Sequence, residues 1–166
     1  MNNNSNFERD KSGLIPPYGG ELKQLIVKDN NQKNFLLSNI DFEHECSERN
    51  ACDVELLMIG AFSPLEGFMM KENYQSVITK NRTSNGLLFG LPIVLDTNNK
   101  NIKEGGNILL KYKGQKLAIL KVESKWEPDK ELEAKCCYGT SSLEHPAVSM
   151  IFHERGKYYL GGKLIG

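Results

Sequence analysis

Between two runs of helical periodicity lies the stretch GAFSPLEGFM, Gly60 to Met69, with two phenylalanines, two glycines and a proline in ten residues. Upstream, from Arg49 to Ile59, Ala51, Val54, Leu57 and Met58 recur at the spacing of one helix face. Gly60 then stands where a helix stops in the left-handed conformation. Ser63 is placed as an N-cap, Pro64 at the first helical position and Glu66 three residues after the serine, a capping-box pattern. Phe62 precedes the cap as a hydrophobic staple. Gly67 limits the predicted helix to one turn. Phe68, Met69 and Met70 lead into a second helix, Lys71–Thr79, in which Tyr74, Val77 and Ile78 share a face. The stretch therefore predicts a helix–corner–helix joint. Phe62, Ser63, Pro64, Leu65, Gly67 and Phe68 are its structural residues, and two aromatic rings hold it.

The remaining chain predicts several short strands around one more helix. Residues 1–12, polar and Asn-rich, read as a mobile arm. Leu22–Val27 is apolar enough to be buried, and residues 31–40 suit a short helix. Asn85-Gly86 signals a turn. LLFGLPIVLDT reads as a strand region in which Pro92 argues for an edge or a bulge. NILLKY, a Lys113-Gly114 turn and KLAILKVE form a hairpin pattern. PDKELEAKCCYG predicts a helix opened by Pro128 and stopped by Gly139. TSSLEHPAV reads as a loop and KYYLGGKLIG as a strand. The Gly-Gly pairs at 19, 105 and 161 read as turns. Helices followed by runs of short strands imply an α+β fold with a small barrel or sandwich.

The charge balance gives no global pull toward a charged partner and leaves room for a local basic patch. Lys plus Arg equals Asp plus Glu at 21 each, so no global field draws the chain to nucleic acid or anionic lipid. KYKGQK, Lys111–Lys116, is the one basic cluster with an aromatic residue. No apolar run approaches the roughly 20 residues that span a bilayer, and the first residues lack a signal-peptide core. A cytoplasmic location with reduced thiols follows. Cys46 and Cys52 with His44 could supply metal ligands, but no CxxC occurs and no fourth ligand is evident. Buried structural thiols are the simpler reading.

Motifs of chemistry are sparse. Neither GxxxxGK[ST] nor GxGxxG is present, and AFSPL is not a nucleophile elbow. Asp53 and Glu55 lie on the first helix, placed to pair with Arg49 and its neighbours. No two histidines have i, i+3 or i+4 spacing. His145-Pro146, after Gly139-Thr140, Ser141 and Ser142, is the most suggestive loop. It offers hydroxyls and an imidazole on a stiff exit. A histidine that merely hydrogen-bonds loop backbone is the alternative.

At ERNACDVELLMIGAFSPLEGFMMKENY the sequence resembles the ATP sulfurylase (sulfate adenylyltransferase) family. That family reads R-Q-x-C-D-L-E-L-L followed by G-A-F-S-P-L-x-G-F-M. Arg49, Cys52, Asp53, Glu55, Leu56 and Leu57 match, as does nearly all of Gly60–Met69, with Asn50 in place of Gln. IPPYGGEL is similar to P-H-G-G-x-L, with Tyr18 for His. LPIVLD, LAILKV, PDK, LGGKL and the G-T…H-P loop also agree in order, with Ser142 where that loop has Asp.

The resemblance implies an α+β, PUA-like small β-barrel with added helices over residues 13–166. It implies the N-terminal domain of an enzyme that converts ATP and sulfate to adenosine 5′-phosphosulfate and pyrophosphate with Mg²⁺. The family's Q-x-R-N and H-x-x-H segments, which supply its positive charge, have no counterpart here. The chain is therefore expected to be inactive alone, with no catalytic, substrate-binding or metal residue and no cofactor of its own. Its expected partners are the catalytic domain, docked on the loop Gly139, Thr140, Ser142, His145 and Pro146, and other copies in a homo-oligomer. A stand-alone PUA-like RNA-binding or oligomerisation module is the other reading, resting on fold analogy. Neutral charge makes nucleic acid a poor partner, and a membrane is not expected.

Overall fold

The computed structural model describes residues 13–166; the N-terminal arm expected over 1–12 lies outside them. The elements in chain order are α1 (Asn30–Leu37), β1 (Phe42–Glu45), α2 (Glu48–Ile59), β2 (Gly67–Phe68), α3 (Lys71–Lys80), β3 (Leu95–Thr97), β4 (Asn107–Tyr112), β5 (Gln115–Trp126), α4 (Lys130–Tyr138), α5 (Pro146–His153) and β6 (Tyr158–Ile165). The six strands form one mixed sheet in the order β1-β4-β5-β6-β2, with β3 also on β6. β1 and β4 are parallel and the other pairs antiparallel. The α+β class holds, but among the described residues the strands form an open path with helices packed against it, not a closed barrel.

The strongest local signals give the elements they predict. Ser47 caps α2, its hydroxyl accepting from the Asn50 N–H at 3.2 Å. Gly60 ends α2 at φ 85°, in the left-handed region where a side chain is strained. Val54 and Leu57 face the core fully buried, as do Tyr74, Val77 and Ile78 of α3. β4 and β5 form the expected hairpin. Lys113 (φ 49°) and Gly114 (φ 76°) are both left-handed, as a two-residue type I′ turn requires.

The corner differs from its prediction. No helix starts at Ser63. Its hydroxyl donates to the Gly60 carbonyl at 2.6 Å and accepts from the Lys23 N–H at 2.9 Å, so it is not free to cap a downstream turn. The Ser63–Pro64 peptide is cis. Glu66 reaches Lys23 at 3.1 Å and Lys163 at 3.7 Å instead of turning back on a cap. Lys23 chiefly, by its hydrogen bond, lowers the Glu66 pKa. Gly67 and Phe68 form β2 against β6. Leu65 and Phe68 are buried, and Phe62 packs half-buried on the core. The joint is a turn feeding a sheet edge rather than a helix–corner–helix.

Two other expectations are corrected. Leu22–Val27 is not buried: Leu22 and Ile26 remain about half exposed. The segment is held by backbone bonds, Leu25 N–H to Met58 O at 2.9 Å and Gly166 N–H to Leu25 O at 2.8 Å. Gly161-Gly162 is not a turn but the middle of β6. A Cβ on Gly161 would collide with the Met69 carbonyl, and one on Gly162 with the Lys121 carbonyl. Backbones approach too closely there for any side chain.

Phe68→Ala is expected to cost about 3–5 kcal/mol in a urea melt. Ser63→Ala, which removes the acceptor of the Lys23 N–H and one of two donors to Gly60 O, should cost about 1–3 kcal/mol. A Phe68→Ala variant that melts with the parent would show that the corner is not part of the core.

Candidate functional site

α4 and α5 present the loop singled out in the sequence. Asp129 caps α4 by accepting from the Leu132 N–H at 2.9 Å, and Gly139 ends it at φ 72°. The hydroxyls then turn inward on the loop. Thr140 Oγ1 accepts from the Ser142 N–H at 3.0 Å, and Ser142 Oγ from the Glu144 N–H at 3.3 Å. The loop is shorter than predicted, because Pro146 sits at the first position of α5, where its missing N–H costs nothing. Val148 and Ile151 bury the helix's inner face. The His145 ring stacks at a tilt on Tyr138, centroids 5.1 Å apart. Its Nδ1 is buried with no hydrogen-bond partner.

Beneath this loop lies a polar network that sequence reasoning missed. Glu133 of α4 is 1% exposed. Its Oε2 accepts from Tyr74 at 2.9 Å and from Tyr159 at 3.0 Å, and its Oε1 accepts from Arg155 Nη1 at 2.6 Å. Arg155 also donates to Tyr159 Oη at 2.8 Å. The two tyrosines pack with Trp126 into one aromatic cluster, ring centroids 5.3–5.9 Å apart. Burial opposes the Arg155 charge, but Tyr159 and Glu133 outweigh it and raise its pKa. Burial, then Glu133, raises the pKa of both tyrosines, which stay protonated donors. Periodicity gives no sign of this, since Glu133 in a charged first turn beside Glu131 reads as solvated. The four members are brought together only by tertiary contacts.

On the outer side of Arg155 a cleft of about 410 Å³ opens between the start of α2 and the end of α5. Arg49, Cys52, Asp96, Glu154 and Arg155 line it. Arg49 reaches Asp53 at 3.5 Å, the pairing expected from the sequence. Burial raises the Asp53 pKa while Arg49 and Arg155 oppose the shift. The carboxylates that line the cleft offset its arginines, so it offers no concentrated positive field for an anion.

The metal candidates do not converge. Cys46 is buried and Cys52 exposed. Desolvation pushes the Cys46 thiol up to about 12 and lowers the His44 pKa. Among the described residues no three His, Cys, Asp or Glu side chains are grouped to hold an ion. His44 lies in β1, His145 stands at the N-cap position of α5 without a side-chain bond to it, and His153 ends that helix. Lys111 of the basic cluster is paired with Glu43 at 3.0 Å. No helix among the described residues is long and apolar enough to cross a membrane.

The sheet, its covering helices and the corner are matched as a unit by a family described as PUA-like domain, over residues 15–165. The chain belongs to the PUA-like domain family. This PUA-like domain is 43% identical over 164 residues to a sulfate adenylyltransferase of Neurospora crassa, covering 90% of this chain and 27% of that protein. It is 38% identical over 156 residues to a sulfate adenylyltransferase of Kluyveromyces lactis, covering 89% and 31%. Among solved structures it is similar to a hexameric APS kinase from Thiobacillus denitrificans, with TM-score 0.67 and 27% identity, over 92% of this chain and 27% of that one. The chain thus spans about a quarter to a third of the length of these relatives.

Glu133→Ala leaves Arg155 buried without its carboxylate and is expected to cost about 3–5 kcal/mol in a denaturant melt. Glu154→Ala, one residue from Arg155 on the exposed side, should stay within about 0.5 kcal/mol of the parent. Equal effects would show that the network does not join α4 to α5 and β6.

Proposed function

We propose that residues 13–166 are the N-terminal PUA-like domain of a sulfate adenylyltransferase, a scaffold that supplies docking surface while the remainder of the enzyme supplies the chemistry. The observation that carries this reading is the identity of 36–43% over about 90% of the chain to proteins of that name, eight of them from fungi. The geometry agrees with it. The buried charges are spent on each other, and the cleft beside them is electrically mixed. Joining two anions, ATP and sulfate, needs concentrated positive charge and fixed geometry. In this reading ATP and Mg²⁺ are held by the remainder of the enzyme, in the cytoplasm, and copies assemble as a homo-oligomer.

The loop Gly139–Pro146 is the proposed contact with that remainder. Its hydroxyls already brace its own backbone, so it is presented as a rigid surface. His145 stands at its exit with one ring nitrogen unpartnered. The purified chain is expected to release no pyrophosphate from ATP and sulfate above background; turnover would overturn the scaffold reading. His145→Ala should leave the circular dichroism of the chain unchanged and lower turnover when carried in a complete enzyme. Wild-type kinetics there would make His145 only a loop residue.

A further inference from the structure

Lys125 of β5 points its side chain at backbone rather than at a carboxylate. Its Nζ lies 3.1 Å from the carbonyl oxygen of Asn99, 2.9 Å from that of Lys100 and 2.7 Å from that of Ile102. An ammonium has three N–H groups, and all three are taken by one loop, the connection from β3 to β4. The ring of Tyr158 covers another side, its centroid 4.4 Å from Nζ. Among the described residues, none of the ion pairs involves Lys125. The nearby Glu104 instead accepts from the Lys125 backbone N–H at 2.9 Å, which ties the same loop to β5 a second time.

Three carbonyl oxygens of one short loop converging on a single cationic atom is the arrangement in which backbone replaces the hydration shell of a monovalent ion. An ammonium group and a potassium ion are close in size, and distances of 2.7–3.1 Å suit both. Calcium needs oxygens at about 2.3–2.6 Å and carboxylates among them, so the site does not suit a divalent cation. We propose that the β3–β4 loop is a monovalent-cation site whose resident cation is the ammonium of Lys125, and that potassium or free ammonium occupies it once that side chain is removed. The site has a structural purpose. Ile102, 2% exposed, is the loop's anchor in the core, and its carbonyl makes the shortest of the three contacts. Without a cation, the three carbonyls lose the one donor group they share.

The test is thermal melting in potassium chloride, ammonium chloride and choline chloride at matched ionic strength. The wild-type chain is expected to melt at one temperature in all three. Lys125→Ala should melt several degrees lower in choline chloride. It should regain much of that loss in potassium or ammonium, with a concentration dependence that follows binding to the folded state alone. Lys125→Arg keeps the charge, but its planar fork cannot aim three N–H groups at one point, so it too should melt below the wild type. A Lys125→Ala variant with one melting temperature in all three salts overturns the proposal. If that variant folds in no salt, nitrogen-15 NMR of the wild type decides. A slowly exchanging lysine ammonium signal that Lys125→Arg removes supports the resident cation, and its absence from the wild-type spectrum refutes it.

Discussion

β6 carries ladders on both edges, and the second edge is shared. β5 takes one side along its length. On the other, β3 pairs with Tyr158–Leu160 and β2 with Gly162–Lys163. Between them the Met69 carbonyl presses on Gly161, and the Lys121 carbonyl lies over Gly162. Two consecutive residues without Cβ are what let four backbones meet there. The register of β5 shifts between Val122 and Ser124 at the same level, a bulge that turns the strand and sets Trp126 opposite Tyr159. That pairing positions the aromatic cluster, the seat for Glu133 and the attachment of α4 and α5. The corner depends on the crossing too, since β2 is its exit.

Some of this was legible in the sequence because it is local. The α2 face, the Gly60 stop, the α3 face, the Lys113-Gly114 hairpin and the α4 limits are set by periodicity and caps within a few residues. What misled was local chemistry recruited from a distance. Ser63 looks like a cap until Lys23, forty residues earlier, claims its hydroxyl. Gly161-Gly162 looks like a turn until Met69 and Lys121 arrive. β1 and β2, four and two residues long, exist only through partners. Pro146 hides the start of α5, since a proline suits the stiff exit of a loop as well as the first helical position. At the candidate site the loop residues were named from sequence, but the Glu133–Arg155 network beneath them was not. Its parts are separated by up to 85 positions, from Tyr74 to Tyr159, and no periodicity links them.

Several charges are answered within the fold. Glu133 and Arg155 neutralise one another, Arg49 answers Asp53, and Lys125 is absorbed by backbone carbonyls. The domain matches a segment making up roughly a quarter to a third of its relatives. Similarity to a segment of those enzymes gives the fold its setting.

The most direct measurement is a chimaera in which this chain replaces the segment of the Neurospora crassa sulfate adenylyltransferase that it matches. Pyrophosphate release from ATP and sulfate by the purified chimaera would then be compared with release by the parent and by the parent lacking that segment. A scaffold domain of this enzyme should restore turnover well above the deleted form. A chimaera that folds, yet turns over no faster than the deleted form, would contradict the assignment.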